Sequence, residues 1–374
     1  MFNLLNRLKF QWLFYIFLFL SLSNSHGKKT DEKVWKIVYK KDLPQGVICT
    51  INSDGTGKKR LTPKDKWSET PIPTPDGQHI EYVSEDPDSQ VLVHYLMDID
   101  GKNRRLLTDN DYLSGNSLQD FPSEGDVAFS PNGELFAYVI DFHNMYKRMF
   151  VTPLTGSGET IEVTEFLLGY FGNLAFSPDG KEIFFDRADN WTSDDWAIFV
   201  VSLDENPPKP RKLEISIDRP YFAPHPLPNG KGLIFLASSD LLFGDVYKLD
   251  YMSNTIKGLS GKYGETNATA LKVSQDGGIV AYDAQIGEDS DIFVAYLNAD
   301  SLVRLTSDPE DEWLLDLSPD GEFILFDREN SKKGKTYADL FIMKTDGTSE
   351  RRLTNKEIWA SARFIPDSKL KIEK

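Results

Sequence analysis

The chain has 374 residues, 40% hydrophobic and 12% aromatic, which is ample for a large core. A formal net charge of −16 at pH 7 argues against a phosphate backbone or an anionic lipid surface as partner, so no nucleic acid is expected. A single cysteine, Cys49, makes neither an intramolecular disulfide nor a thiolate metal site, and it reads as a small buried hydrophobe.

Taken from the start, residues 1–25 stand apart. Arg7 and Lys9 give a basic beginning, Trp12 to Leu20 form an apolar run, and Ser23-Asn24-Ser25 supply small residues ahead of His26. That is the pattern of a secretory signal peptide. The run is short for a bilayer and no second one follows, so the mature chain is predicted to be exported, periplasmic or secreted, with no transmembrane segment. Lys28, Lys29 and Lys33 mark 26–34 as a flexible segment. Residues 35–374 then read as one domain.

That domain repeats one phrase. Ser177-Pro178-Asp179-Gly180 followed by Ile183-Phe184-Phe185 is a tight turn entering a strand with apolar residues on both faces. Pro178 presets the φ of the turn, and Gly180 takes a positive φ that reverses the chain. Related phrases end at Gly77, Gly133, Gly230, Gly277 and Gly321, and a decayed one is Ile365-Pro366-Asp367-Ser368. The glycines at 77, 133, 180, 230, 277 and 321 lie 56, 47, 50, 47 and 44 residues apart. A period of about 40–50 residues built of short strands predicts a β-propeller.

Each repeat carries four strand signals, a to d. After the turn phrase, which joins a to b, comes an alternating strand c such as Ile292-Phe293-Val294-Ala295-Tyr296, then a short d strand in a basic-Leu-Thr pattern: Arg60-Leu61-Thr62, Arg304-Leu305-Thr306, Arg352-Leu353-Thr354. Asp54-Gly55, Asp100-Gly101 and Asp346-Gly347 are hairpin turns between c and d. The chain enters at Trp35-Lys36-Ile37-Val38-Tyr39, which matches strand b, and leaves through Ala362-Arg363-Phe364-Ile365, which matches strand a. An all-β, seven-bladed propeller follows, its ring closed by N-terminal strands b, c and d plus the C-terminal strand a.

The Ser-Pro-Asp-Gly turn and the Arg-Leu-Thr strand resemble the repeats of the TolB-type, WD40-like propeller, over roughly Trp35 to Asp367. The resemblance implies an exported interaction module; the motif itself says little about activity, because it stabilises blades and is shared by proteins of unrelated function. TolB itself carries an α/β domain ahead of six blades, whereas seven blades and no such domain are expected here. Prolyl oligopeptidases have similar propellers but work through an α/β-hydrolase domain. No Gly-x-Ser-x-Gly elbow occurs; Gly258-Leu259-Ser260-Gly261-Lys262 fails at its last position. Oligogalacturonate lyases are seven-bladed propellers with a histidine-held metal, and a metal-assisted lyase or hydrolase of an acidic oligosaccharide is the alternative reading.

In this architecture the d–a and b–c loops share one rim, and variable loops on a rigid scaffold are where binding resides. The candidate binding rim is Trp67, Tyr112, Phe121, Phe142, His143, Tyr146, Tyr170, Trp191, Trp196, Trp313 and Trp359, aromatic groups that stack on sugars or anchor a protein. Acidic runs around Trp191 and at Asp308, Glu310, Asp311 and Glu312 read as a solvated face. His225, in a strand a, and His143 are the weak candidates for a channel metal site; no catalytic residue and no cofactor is assigned. The expectation is a monomeric, non-catalytic module for a protein or glycan partner.

Overall fold

The computed structural model describes residues 33–41, 46–87, 92–108, 126–142, 146–156, 158–164, 169–189, 194–238, 244–261, 267–332, 335–355 and 361–367. Met1–Trp35 forms one unit and Lys36–Lys374 another. Residues 1–32, and with them the expected signal peptide, lie outside the described residues. Among the described residues no helix is long and apolar enough to cross a membrane.

The second unit holds seven four-stranded antiparallel sheets, the blades of a propeller. Blade 1 pairs Ala362–Phe364 with Lys36–Lys41, Val47–Asn52 and Lys59–Arg60. Blades 2 to 7 each run a-b-c-d in chain order, opening at Ser68–Pro73, Val127–Phe129, Tyr170–Phe176, Tyr221–Pro226, Asn267–Val273 and Glu312–Leu317. Closure therefore follows the expected scheme, with Ile37 opposite Phe364 and Tyr39 opposite Ala362. The a strands touch one another in five of the seven pairs of neighbouring blades, which places them at the centre of the ring.

The repeated phrases do definite jobs. In blade 4, Ser177 Oγ donates to Asp179 Oδ1 at 2.6 Å, and Asp179 Oδ1 accepts the Lys181 amide at 3.1 Å. Ser177 Oγ in turn accepts the Glu182 amide at 2.9 Å, locking the turn that feeds strand b. These bonds to the ionised form hold the Asp179 carboxyl below the usual range. Gly180 has φ +74°, as the turn requires. The threonine of the basic-Leu-Thr pattern caps strand c: Thr62, Thr306 and Thr354 hydroxyls accept the amides of Ile48, Ile292 and Leu340 at 2.9 Å. The arginine pairs with a buried aspartate of the same strand c, Arg304 with Asp291 at 2.5 Å and Arg352 with Asp339.

Strand b is the spine of each blade and is buried on both faces. Phe185, Phe235, Tyr282 and Phe326 lie inside, and aromatic pairs such as Tyr282–Phe293 (centroids 5.3 Å apart) stack across to strand c. Cys49 is buried in strand c of blade 1.

Candidate functional site

The innermost strands carry a bulge. Register shifts between Glu69 and Ile72, Gly172 and Ala175, Phe222 and His225, Ala268 and Leu271, and Leu314 and Asp316 place one extra residue in five of the a strands. In three of them a non-glycine residue takes positive φ there: Thr70 (44°), Asn173 (50°) and Ala223 (52°). Such a conformation costs free energy and persists because surrounding bonds fix it.

In blades 4 to 7 the bulges are bonded by buried aspartates of strand b, six residues after the turn glycine. Asp186 Oδ2 accepts Asn173 Nδ2 at 2.7 Å and the Ala223 amide of the next blade at 2.9 Å. Asp283 Oδ1 accepts the Thr269 amide (3.1 Å), the Thr269 hydroxyl (2.6 Å) and the Ala270 amide (2.9 Å), while its Oδ2 accepts Leu314 N of blade 7 at 2.9 Å. Asp327 occupies the same place in blade 7; its Oδ1, like Oδ1 of Asp186, is buried without a hydrogen bond. Blades 2, 3 and 5 have Val83, Val139 and Leu236 there.

Burial drives these acids upward. It raises the Asp327 carboxyl to about 7, helped by the nearby Asp283 charge, and Asp186 to about 6 against its hydrogen bonds. The folded chain therefore binds more protons than the unfolded chain, whose aspartates titrate near 4, across the window from about pH 4 to 7. Stability from these groups is fully present below the unfolded value and falls as pH rises through the window. His225, lowered by burial to about 4, acts in the opposite sense, but only below its unfolded value near 6.5. We expect unfolding free energy to drop by about 1–3 kcal/mol between pH 5.5 and 8. Urea titrations at fixed pH measure this; Asp327→Asn should flatten the upper half of the profile, and an unchanged profile would refute the assignment.

Position matters equally at the second residue before the turn phrase. There the seven blades carry Arg363, Ile72, Ala128, Ala175, His225, Lys272 and Asp316. All seven are half-buried, while the residue just before each is buried in every blade. This is the alternation of a strand with one side packed and the other facing the central channel. Polar residues occupy one continuous arc, blades 5, 6, 7 and 1, and small or aliphatic residues the rest.

Within that arc His225 Nδ1 lies 3.2 Å from the Ala223 carbonyl. Asp316, raised by burial to about 6, accepts the Phe364 amide at 2.8 Å. Burial lowers Lys272 against the charges of Asp316 and Asp283, and lowers Arg363 to about 10. Arg363 donates to the Leu315 carbonyl of blade 7.

On the rim formed by the starts of strands a and c, Trp67, Tyr170, Trp196 and Trp313 are half-buried. Trp67 precedes strand a of blade 2, while Tyr170 and Trp313 lie in the first two residues of theirs, so these three surround the channel mouth. Trp196 precedes strand c of blade 4, and its carbonyl accepts the Tyr221 amide of blade 5. Phe142 ends strand b and Tyr146 begins strand c of blade 3 on the same rim. Tyr112, Phe121, His143, Trp191 and Trp359 lie outside the described residues.

The acidic run before Trp313 is not simply a solvated face. Glu312 is buried and binds Arg328 Nε at 2.6 Å, Asp308 binds Arg328 at 3.0 Å, and Asp311 accepts the Ser290 amide at 2.9 Å. His94 is likewise structural, its Nδ1 2.7 Å from buried Glu81. Among the described residues no three His, Cys, Asp or Glu side chains gather as metal ligands. At His225 the neighbouring channel position is a lysine, and an ammonium beside an imidazole does not suit a divalent cation.

The TolB beta propeller domain family matches residues 95–364. A search of curated protein sequences found no match. Among solved structures, TolB from Acinetobacter baumannii is 18% identical with a TM-score of 0.53, covering 89% of this chain and 67% of that one. A puromycin-hydrolyzing peptidase from Mycobacterium tuberculosis is 16% identical, TM-score 0.63, covering 85% of this chain and 52% of that one. An oligogalacturonate lyase in complex with manganese is 15% identical, TM-score 0.56, covering 86% and 85%. The chain thus spans about half the length of the peptidase it matches. Identities this low show a shared fold and leave the chemistry to the site.

Proposed function

The chain belongs to the TolB beta propeller domain family, and from that premise we propose that it is an exported, non-catalytic binding module that holds a protein or glycan partner on its aromatic rim. The observation that carries this reading is the placement of Trp67, Tyr170 and Trp313 around one mouth of the channel, half-buried on the starts of rigid inner strands. Indole and phenol rings fixed by packing offer large contact area at small entropic cost, which suits them as anchors for a sugar face or an apolar side chain. The expected leader supplies the route out of the cytoplasm.

The test is capture of partners by the immobilised mature protein, from envelope extract and on a glycan array, followed by affinity measurement. Trp67→Ala with Trp313→Ala should weaken binding of whatever is captured by about 2 kcal/mol or more, roughly thirtyfold, as for central anchors of an interface. Because both rings are half-buried, near-UV circular dichroism of the variant has to match the parent. Equal affinity in a folded variant would reject this rim.

A further inference from the structure

The polar arc of the channel has a donor and acceptor pattern specific enough to name a ligand chemistry, independently of the rim. The Ala223 carbonyl can only accept, so the hydrogen bond to it places the proton of neutral His225 on Nδ1. Nε2 is left as a bare acceptor. In the next blade Lys272 presents an ammonium that makes no hydrogen bond and no ion pair among the described residues, although it is half-buried and its charge is disfavoured by burial. Beyond it stands Asp316, a second acceptor, with one oxygen already bound to the Phe364 amide. Arg363 completes the arc as a second cation, braced by the Leu315 and Ala362 carbonyls.

A cation partly removed from water is ordinarily matched by a close partner. Asp316 and Asp283 favour the Lys272 charge from a distance, but no ion pair joins either to it; the four polar positions alternate acceptor, cation, anion, cation, and the remaining positions are Ile72, Ala128 and Ala175. Ordinary structural pairing would have joined Lys272 and Asp316 directly, as Arg304 and Asp291 are joined one blade-layer farther out.

We propose that this arc is a binding site for a small α-amino or α-hydroxy carboxylate, whose carboxylate is held by Lys272 and whose adjacent donor is received by His225 Nε2 or Asp316. The complement is chemical: an anion for the unpartnered ammonium, and an N–H or O–H beside that anion for the two flanking acceptors. The surface charge of the chain works against any anion, so affinity depends on the channel's own cations, within which Lys272 and Arg363 outnumber Asp316.

Isothermal titration calorimetry of the mature protein with glycine, L-lactate and acetate tests this. Glycine or L-lactate should bind with a Kd of about 1 mM or tighter. Acetate, which lacks the donor, should bind at least about fivefold more weakly. The pair glycine and lactate separates the two ligand sources. Lys272→Met, which removes a buried charge and keeps the aliphatic stem, should cost at least about tenfold for both. Of His225→Phe and Asp316→Ala, at least one should weaken the better of the two probes towards the acetate value; neither doing so would overturn the proposal. No heat with any probe up to about 20 mM, acetate equal to both, or Lys272→Met without effect would each overturn the proposal.

Discussion

Asp283→Ala is expected to lower the unfolding free energy by about 3 kcal/mol or more. The side chain is 1% exposed and accepts four hydrogen bonds, from Thr269 N, Thr269 Oγ1, Ala270 N and Leu314 N. Three of these are backbone donors at the bulges of two adjacent a strands, where neither neighbouring strand can supply an acceptor. Alanine would leave them buried and unpaired, and each orphaned donor costs about 1–3 kcal/mol. Part of that loss is returned, because a buried carboxylate held above its usual range by burial is itself removed. Asp283→Asn keeps one carbonyl acceptor and should recover about half of the loss. The informative control is Asp327→Asn. Asp327 stands at the same place in the repeat, but one of its oxygens is buried without a bond, so its replacement at pH 8 should be neutral or stabilising. Urea denaturation of the three variants measures both signs. A loss below about 1 kcal/mol for Asp283→Ala would mean that the inter-blade bonds are replaced by rearrangement.

The contrast between these two aspartates marks how far the residues alone could be read. The turn phrase, the hairpin glycines and the order of the terminal strands were enough for seven blades and for their closure, because each is a local signal with one structural meaning. The Arg-Leu-Thr strand was visible as a pattern, but its reason was not. That the threonine caps strand c while the arginine neutralises Asp291 or Asp339 depends on a cross-strand register that only the folded sheet reveals. The channel arc was hidden by the bulge. His225 drew notice as a histidine, whereas Lys272, Asp316 and Arg363 look like any charged residues on a strand. They align only when the repeats are superposed on the first residue of the turn phrase and counted back two positions, and the signal was there to be found in that column. Aromatic type was legible at the rim, but exposure was not. The acidic run at 308–312 misled in the other direction, since charge density reads as solvation until Arg328, opposite Glu312 on the next strand, is seen to draw Asp308 and Glu312 together.

Removing the chain from Ser361 onward is expected to abolish the cooperative fold. The segment supplies the innermost strand of blade 1, where Ala362, Phe364 and Ile365 are each no more than 5% exposed. Its edges are occupied on both sides. Ile365 N donates to the Lys36 carbonyl and the Ser361 carbonyl accepts Lys40 N, while Phe364 N and Arg363 reach Asp316 and Leu315 of blade 7. The Pro366 carbonyl lies against the turn of blade 2 at Gly77, where a Cβ would fall 1.9 Å from that oxygen. Burial of the phenylalanine and isoleucine alone stabilises by about 1.5–3 kcal/mol each, and each ladder bond adds about 1 kcal/mol. The sum approaches the whole stability of a typical domain, about 5–15 kcal/mol. The truncated chain should therefore show no sharp thermal transition and should elute as an expanded or associated species in size-exclusion chromatography, its open inner edge being free to pair with other chains. A synthetic peptide spanning 361–374 added in trans should restore the transition, and the same peptide carrying Arg363→Ala separates closure of the ring from the charge of the channel. A truncated chain that melts sharply within a few degrees of the full one would place the stability of this propeller in its individual blades, with the ring contributing little.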